Sequence, residues 1–282
     1  MSDWVFDSLI CFLHSPAWNA ALNTFIEEKS MIFDPNIDID ISNPQYIQTH
    51  GEYKNLVDYM LGSFMEEMNI TPEQFEIACL EGKNLSALNK EDTKTDDHSF
   101  SFHKGLFQQI WAANDIRTFI KLMVQRNIEI QLQALDLIER QQSMSSKEPS
   151  IEEQDEVNTE TKAEIEKAIE EETEAAATIV NNESDQFQRL NLLFEKEKIK
   201  ASDVSTRQEY LRQQRDKILQ IKKQARARKL SETSKERPKS ARAAQKVIEG
   251  GTLEPDEASI QVRKLLARKL REEVVDKTND ED

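Results

Sequence analysis

Hydrophobic residues recur at three- and four-residue spacing along the first half of the chain, and the pattern predicts six helices. Val5, Phe6, Leu9, Ile10, Phe12 and Leu13 give the first, over residues 2–14, with Ser2 or Asp3 as its cap. Ser15-Pro16 starts a second, which carries Trp18, Ala21, Leu22, Phe25 and Ile26 as far as Phe33. The third, residues 45–69, presents Tyr53, Leu56, Val57, Met60, Leu61, Phe64, Met65 and Met68. Thr71 and Gln74 form a capping box around Pro72 and open a fourth, with Phe75, Ile77, Ala78 and Leu80, which ends near Gly82. After a polar stretch at 83–99, a fifth helix over 100–113 presents Phe102, Leu106, Phe107, Ile110 and Trp111. Asp115 then caps a long sixth, to Gln142, whose row Phe119, Ile120, Met123, Val124, Ile128, Leu132, Leu135 and Ile138 can cross a whole domain.

The second half reads differently. Residues 150–185 are rich in Glu, Ala and Thr, and have high helix propensity but nothing to pack. From Phe187 to Leu230 a basic helix spaces Val204, Leu211, Ile218 and Ala225 by seven, but the complementary row holds Arg207, Gln214 and Ile221. A two-stranded coiled coil on that seam would be weak. Residues 231–251 look polar and broken by Pro238 and Gly250-Gly251. A final helix from Pro255 carries Ile260, Val262, Leu265, Leu266, Leu270 and Val274 on one face, which needs a partner surface.

Composition sets the organisation. Of 19 aromatics, 16 precede residue 143. One core is therefore expected, in a domain at 1–142, followed by an acidic low-complexity linker at 143–186 and a basic helical tail at 187–282. With six glycines in 282 residues and few β-branched runs, the fold class is all-α. The net charge of −16 comes in blocks: 10 bases against 22 acids in 1–142, 3 against 14 in 143–186, then 18 against 8 in 187–249. Domain and arm should accordingly meet different partners. Cys11 and Cys79, the only cysteines, sit in apolar helical patterns, and the N-terminus has neither a signal-peptide pattern nor the glycine that myristoylation requires. A reducing, intracellular compartment is expected, with no integral membrane segment.

Candidate chemistry is that of binding. Clustered glycines of a phosphate loop are missing, and His14, His50, His98 and His103 share no metal-ligand spacing with either cysteine beyond His14 following Cys11. Counted from Asp34, the positions an EF-hand reserves for Gly and Glu hold Ile39 and Gln45. No catalytic residue, cofactor or metal is assigned. The third helix has apolar residues over more than half its circumference, and flexible methionines suit a groove that takes an amphipathic helix. That groove is expected between the third, fourth and fifth helices, from Met60, Phe64, Met65, Met68, Phe75, Cys79, Phe107, Ile110 and Met123; ordinary core packing is the competing account of each residue. A second candidate is the basic arm of Arg207, Arg212, Arg215, Lys217, Lys222, Lys223, Arg226, Arg228 and Lys229. It suits an acidic cytoskeletal partner better than nucleic acid, because only Tyr210 could stack on a base.

WVFDSLICFLHSPAW (4–18), FIEEKSMIFD (25–34), EYKNLVDYML (52–61) and above all FIKLMVQRNIEIQLQALDLI (119–138) resemble the BART-like domain family, in its cilia- and flagella-associated, coiled-coil form. YLRQQRDKIL (210–219) and LLARKLREEV (265–274) are similar to the tail of such proteins. The resemblance implies a six-helix, non-enzymatic effector that binds a GTP-bound Arf-like small GTPase, whose N-terminal amphipathic helix enters an apolar groove. It also implies a place in the cilium or flagellum and cytoplasm, with the nucleus a further possibility. A cytoskeletal or nucleic-acid-associated protein acting through the arm at 187–230 is the alternative.

Overall fold

The computed structural model describes residues 3–35, 40–75, 108–145, 201–232 and 238–279, and among these every regular element is a helix. They are α1 (Asp3–Leu13), α2 (Pro16–Lys29) continued by a 3-10 turn (Ser30–Ile32), α3 (Pro44–Met68), α4 (Ile116–Ser145), α5 (Ala201–Glu232), α6 (Lys239–Ile248) and α7 (Glu257–Asn279). Of the fourth and fifth helices expected from the sequence, helical residues 72–75 and 108–112 are described; the remainder, with loop 83–99 and the acidic segment 150–185, lies outside the described residues.

Local signals set the helix ends. The Ser15 hydroxyl accepts from the Trp18 amide, and Pro16 occupies the first turn, where no donor is lost. Asn43 caps α3 through Gln45 N at 2.9 Å. Asn69 then closes that helix in the left-handed conformation (φ 53°), with its amide on the Met65 carbonyl. Thr71 and Gln74 exchange the two capping-box hydrogen bonds, and Asp115 accepts from the amides of Arg117 and Thr118.

The core of the first half is aromatic. Phe33 stacks on Tyr46 at 4.4 Å and meets Phe119 edge-on at 5.6 Å; Phe12 stacks on Phe64 at 4.7 Å. Helical residues 108–112 are tied in by three buried hydrogen bonds: Trp18 Nε1 donates to Gln109 Oε1, the Tyr53 hydroxyl to the Gln109 carbonyl, and His50 Nε2 lies 2.9 Å from the Ala112 carbonyl. Burial pushes the Tyr53 hydroxyl's pKa well up, so it remains a donor at any ordinary pH.

The tail is where the structure departs from the sequence expectation of a free arm. α5 lies against α2 and α4, α6 against α2 and α3, and α7 against α3. Leu230, Ala243, Ala244, Ile248, Val262 and Leu266 belong to the same buried cluster as Val5, Trp18 and Phe119. The seven-residue row of α5 is used, but on the domain: Ile218 is 1% exposed and Leu211 packs on Ile128, Leu132 and Leu135. α6 falls in the stretch read as broken and polar. Its Ala241, Ala243, Ala244 and Ile248 are buried behind Pro238, so this segment is a helix with a short apolar face.

Candidate helix-docking cleft and the clasp of the tail

An open apolar cleft of about 450 Å³ lies where α1, the start of α2 and the end of α3 meet the α5–α6 junction. Phe12, Phe64 and Met68 line it from the domain, and Leu230, Pro238 and Ala241 from the tail. Cys11, the one free cysteine described, is exposed on its rim. Met68 is 36% exposed, so its thioether is available to a ligand, whereas Phe64 is buried against Phe12.

Of the nine groove residues expected from the sequence, the structure brings Phe64 and Met68 to this cleft. Met60, Met65, Phe75, Ile110 and Met123 are buried with the core, each at most 6% exposed; they support the surface from beneath and do not line it. The apolar excess on α3 that suggested a partner is covered largely by the protein's own tail. Cys79 and Phe107 lie outside the described residues.

Part of the basic arm is likewise committed to the domain. The Glu27 carboxylate, 1% exposed, accepts from Arg226 Nη1 at 2.6 Å, Arg226 Nη2 at 3.1 Å and Lys222 Nζ at 3.1 Å, with Arg126 at 4.0 Å. Burial works against its charge, but Arg226 and Lys222 outweigh it and hold the carboxyl well below the usual range. Arg215 is 4% exposed and donates to Asn127 Oδ1 at 2.6 Å and Ser30 Oγ at 3.0 Å; burial pulls its pKa down to about 10, and it stays charged at neutral pH. Lys223 pairs with Glu28 on the surface. Arg212 and Arg228 are exposed, Lys217 and Lys229 half-buried, and the Arg207 side chain lies outside the described set. Sequence reasoning found these cations but missed their receivers, because Glu27 lies 195 and 199 residues from Lys222 and Arg226, and Asn127 lies 88 from Arg215.

Two further ties went unread. Arg263 of α7 reaches Asp58 of α3 with Nε at 2.5 Å from Oδ1 and Nη2 at 3.2 Å from Oδ2, and also donates to Asn114 Oδ1 at 2.5 Å. The Glu67 carboxylate accepts the Ser240 amide at 3.0 Å, placing an anion at the positive N-terminal end of α6. No three His, Cys, Asp or Glu side chains among the described residues stand together as a metal site. No helix among them is long and apolar enough to cross a membrane.

Among the described residues, an all-helical domain presents an exposed apolar cleft, a form that suits the binding of an apolar ligand or helix face. Residues 1–132, just under half of the 282-residue chain, match the model of the family described as "The ARF-like 2 binding protein BART". The chain is also similar to the Cilia- and flagella-associated protein 36 of Caenorhabditis elegans, at 30% identity over 129 residues. Those residues are 45% of this chain and 16% of that protein. The tail helices α5–α7 all lie beyond the family match.

Proposed function

We propose that this chain is a non-enzymatic adaptor that binds an Arf-like small GTPase in its GTP-bound form through the N-terminal helical domain, and that it serves in the cilium or flagellum and the adjoining cytoplasm. The observation that carries this reading is the family match of residues 1–132, whose description names an ARF-like 2 binding protein. The relative's printed association with cilia and flagella supports the location. The cleft supports the mode, since it offers exposed Met68 between apolar walls and so suits the apolar face of a helix.

Preference for the GTP form follows from linkage: an effector that contacts segments ordered by the γ-phosphate binds that state more tightly and is released on hydrolysis. The test is a titration of the full chain with Arf-like GTPases loaded with a non-hydrolysable GTP analogue or with GDP. Binding at least tenfold tighter to the analogue-loaded form is expected. Equal binding to both forms, or to neither across the Arf-like set, overturns the reading.

A further inference from the structure

Ser143, Ser231 and Ser240 each follow an arginine by three residues. A cation at that distance is the charge pattern by which basophilic protein kinases select a serine, because it meets acidic residues of the kinase. At Ser231 the pattern is fuller, with Arg228 three residues before it and Lys229 two before. Burial separates the candidates further. Ser231 and Arg228 are exposed and Lys229 is half-buried, whereas Ser240 is 5% exposed with its amide on Glu67. The Ser143 side chain lies outside the described set.

Ser231 also stands at a sensitive point of the fold. It is in the last turn of α5, which ends at Glu232, and its hydroxyl donates to the Arg228 carbonyl at 2.6 Å, so that one of the orphan carbonyls of the helix end has a partner. The residue before it, Leu230, is 4% exposed, belongs to the core cluster and lines the apolar cleft together with Pro238 and Ala241.

We propose that Ser231 is a phosphorylation site for a basophilic kinase, and that the phosphate loosens the last turn of α5 and withdraws Leu230 from the cleft, lowering the cleft's affinity for the helix it receives. The last clause rests on the binding function proposed above. In the transfer the Ser231 oxygen bonds to the γ-phosphorus of ATP as the bond from that phosphorus to its bridging oxygen breaks; ADP leaves, and the hydroxyl proton passes to the kinase's carboxylate. A hydroxyl turned onto its own helix cannot reach that carboxylate, so the turn opens before the transfer. Afterwards it closes less well. The donor to the Arg228 carbonyl is gone, and a charge of about −1.5 to −2 sits at the negative end of the helix. A pair with Arg228, one turn back, is screened by solvent and weaker than these two losses together. Linkage makes the effect reciprocal: a helix in the cleft holds Leu230 in place and slows the phosphorylation.

The experiment treats the full chain with ATP and the catalytic subunit of cyclic-AMP-dependent protein kinase, locates phosphate by mass spectrometry, and follows hydrogen exchange of the amides at 226–232. The modified and unmodified chains are then titrated with the analogue-loaded GTPase. Ser231 should be modified at least about tenfold faster than Ser240, the amides should exchange faster once it is, and GTPase affinity should fall by about tenfold. Leu230→Ala, which loosens the turn without touching the hydroxyl, should speed the modification. Ser231→Ala should abolish that phosphate and keep the GTPase affinity insensitive to the kinase. No phosphate on Ser231, or equal rates at Ser231 and Ser240, overturns the site. Phosphate on Ser231 with exchange unchanged overturns the loosening. Faster exchange with GTPase affinity unchanged overturns the link to the cleft and leaves the binding function standing. Absence of GTPase binding to either form removes that function, and the phosphate and exchange results still decide the site and the loosening.

Discussion

Replacing Glu27 by glutamine keeps the side chain's shape and removes the charge that seats α5. In the native protein one carboxylate holds Arg226 through two hydrogen bonds of 2.6 and 3.1 Å and Lys222 through one of 3.1 Å, and all three residues are at most 4% exposed. The amide would leave two buried cations facing a neutral oxygen. Breaking one side of a buried ion pair costs about 3–5 kcal/mol, a large share of a domain's usual stability of about 5–15 kcal/mol. The neighbouring Glu28→Gln is the control. Its pair with Lys223 spans 2.8 Å, but the two side chains are 44% and 40% exposed, and such pairs contribute about 0.2–1 kcal/mol.

Limited trypsin digestion reads the difference, because α5 is rich in Lys and Arg and is cut when it leaves the domain. Where reclosing outpaces cleavage, the rate follows the open population, and each ~1.4 kcal/mol is a factor of ten. Glu27→Gln should therefore speed cleavage within α5 by about 100-fold or more, and Glu28→Gln by less than about fivefold. Equal rates for the two variants would refute the claim that the tail is seated through the buried cluster.

Acid should loosen the protein in two steps with the same sign. Burial, opposed by the Ala112 carbonyl and aided by Lys54 and Arg263, lowers the His50 pKa from 6.5, so its stabilisation is complete above that value and falls as pH drops below it. The Glu27 contribution, from a lowered carboxylate pKa, is complete above 4.5 and is lost at still lower pH. Urea midpoints measured between pH 7 and about pH 5 should fall, and His50→Gln should flatten that part of the profile. Met68→Asp should leave the fold intact, since the residue is 36% exposed, yet weaken GTPase binding in a titration by placing a charge in the apolar cleft. Phe64→Ala, at 3% exposure and stacked on Phe12, should by contrast cost about 3–5 kcal/mol in urea unfolding.

The sequence by itself determined what neighbours within four residues decide. The 3.6-residue row from Phe119 to Ile138, the Ser15-Pro16 start, the Thr71–Gln74 box and the Asp115 cap are all contained in their own segments, and each is present in the structure. The all-α class and the family resemblance of the first half followed from the same local regularities.

What only the tertiary structure decided is where charges go. Glu27 in FIEEK looks like any solvated helix acid, and Arg226, Lys222 and Arg263 look like solvated bases, because nothing within a turn of them signals burial. A lone charge is expelled from a core, but a carboxylate and a guanidinium arriving together from distant parts of the chain can be buried as a pair. That meeting has no local trace. One partial signal was present: from Pro16 to Ile26 α2 carries no charged residue, and its Asn19, Asn23 and Thr24 are buried beside the apolar face. A helix with small polar residues where a solvated face would carry Lys and Glu is covered on both sides, and in this chain α5 and α6 cover the second.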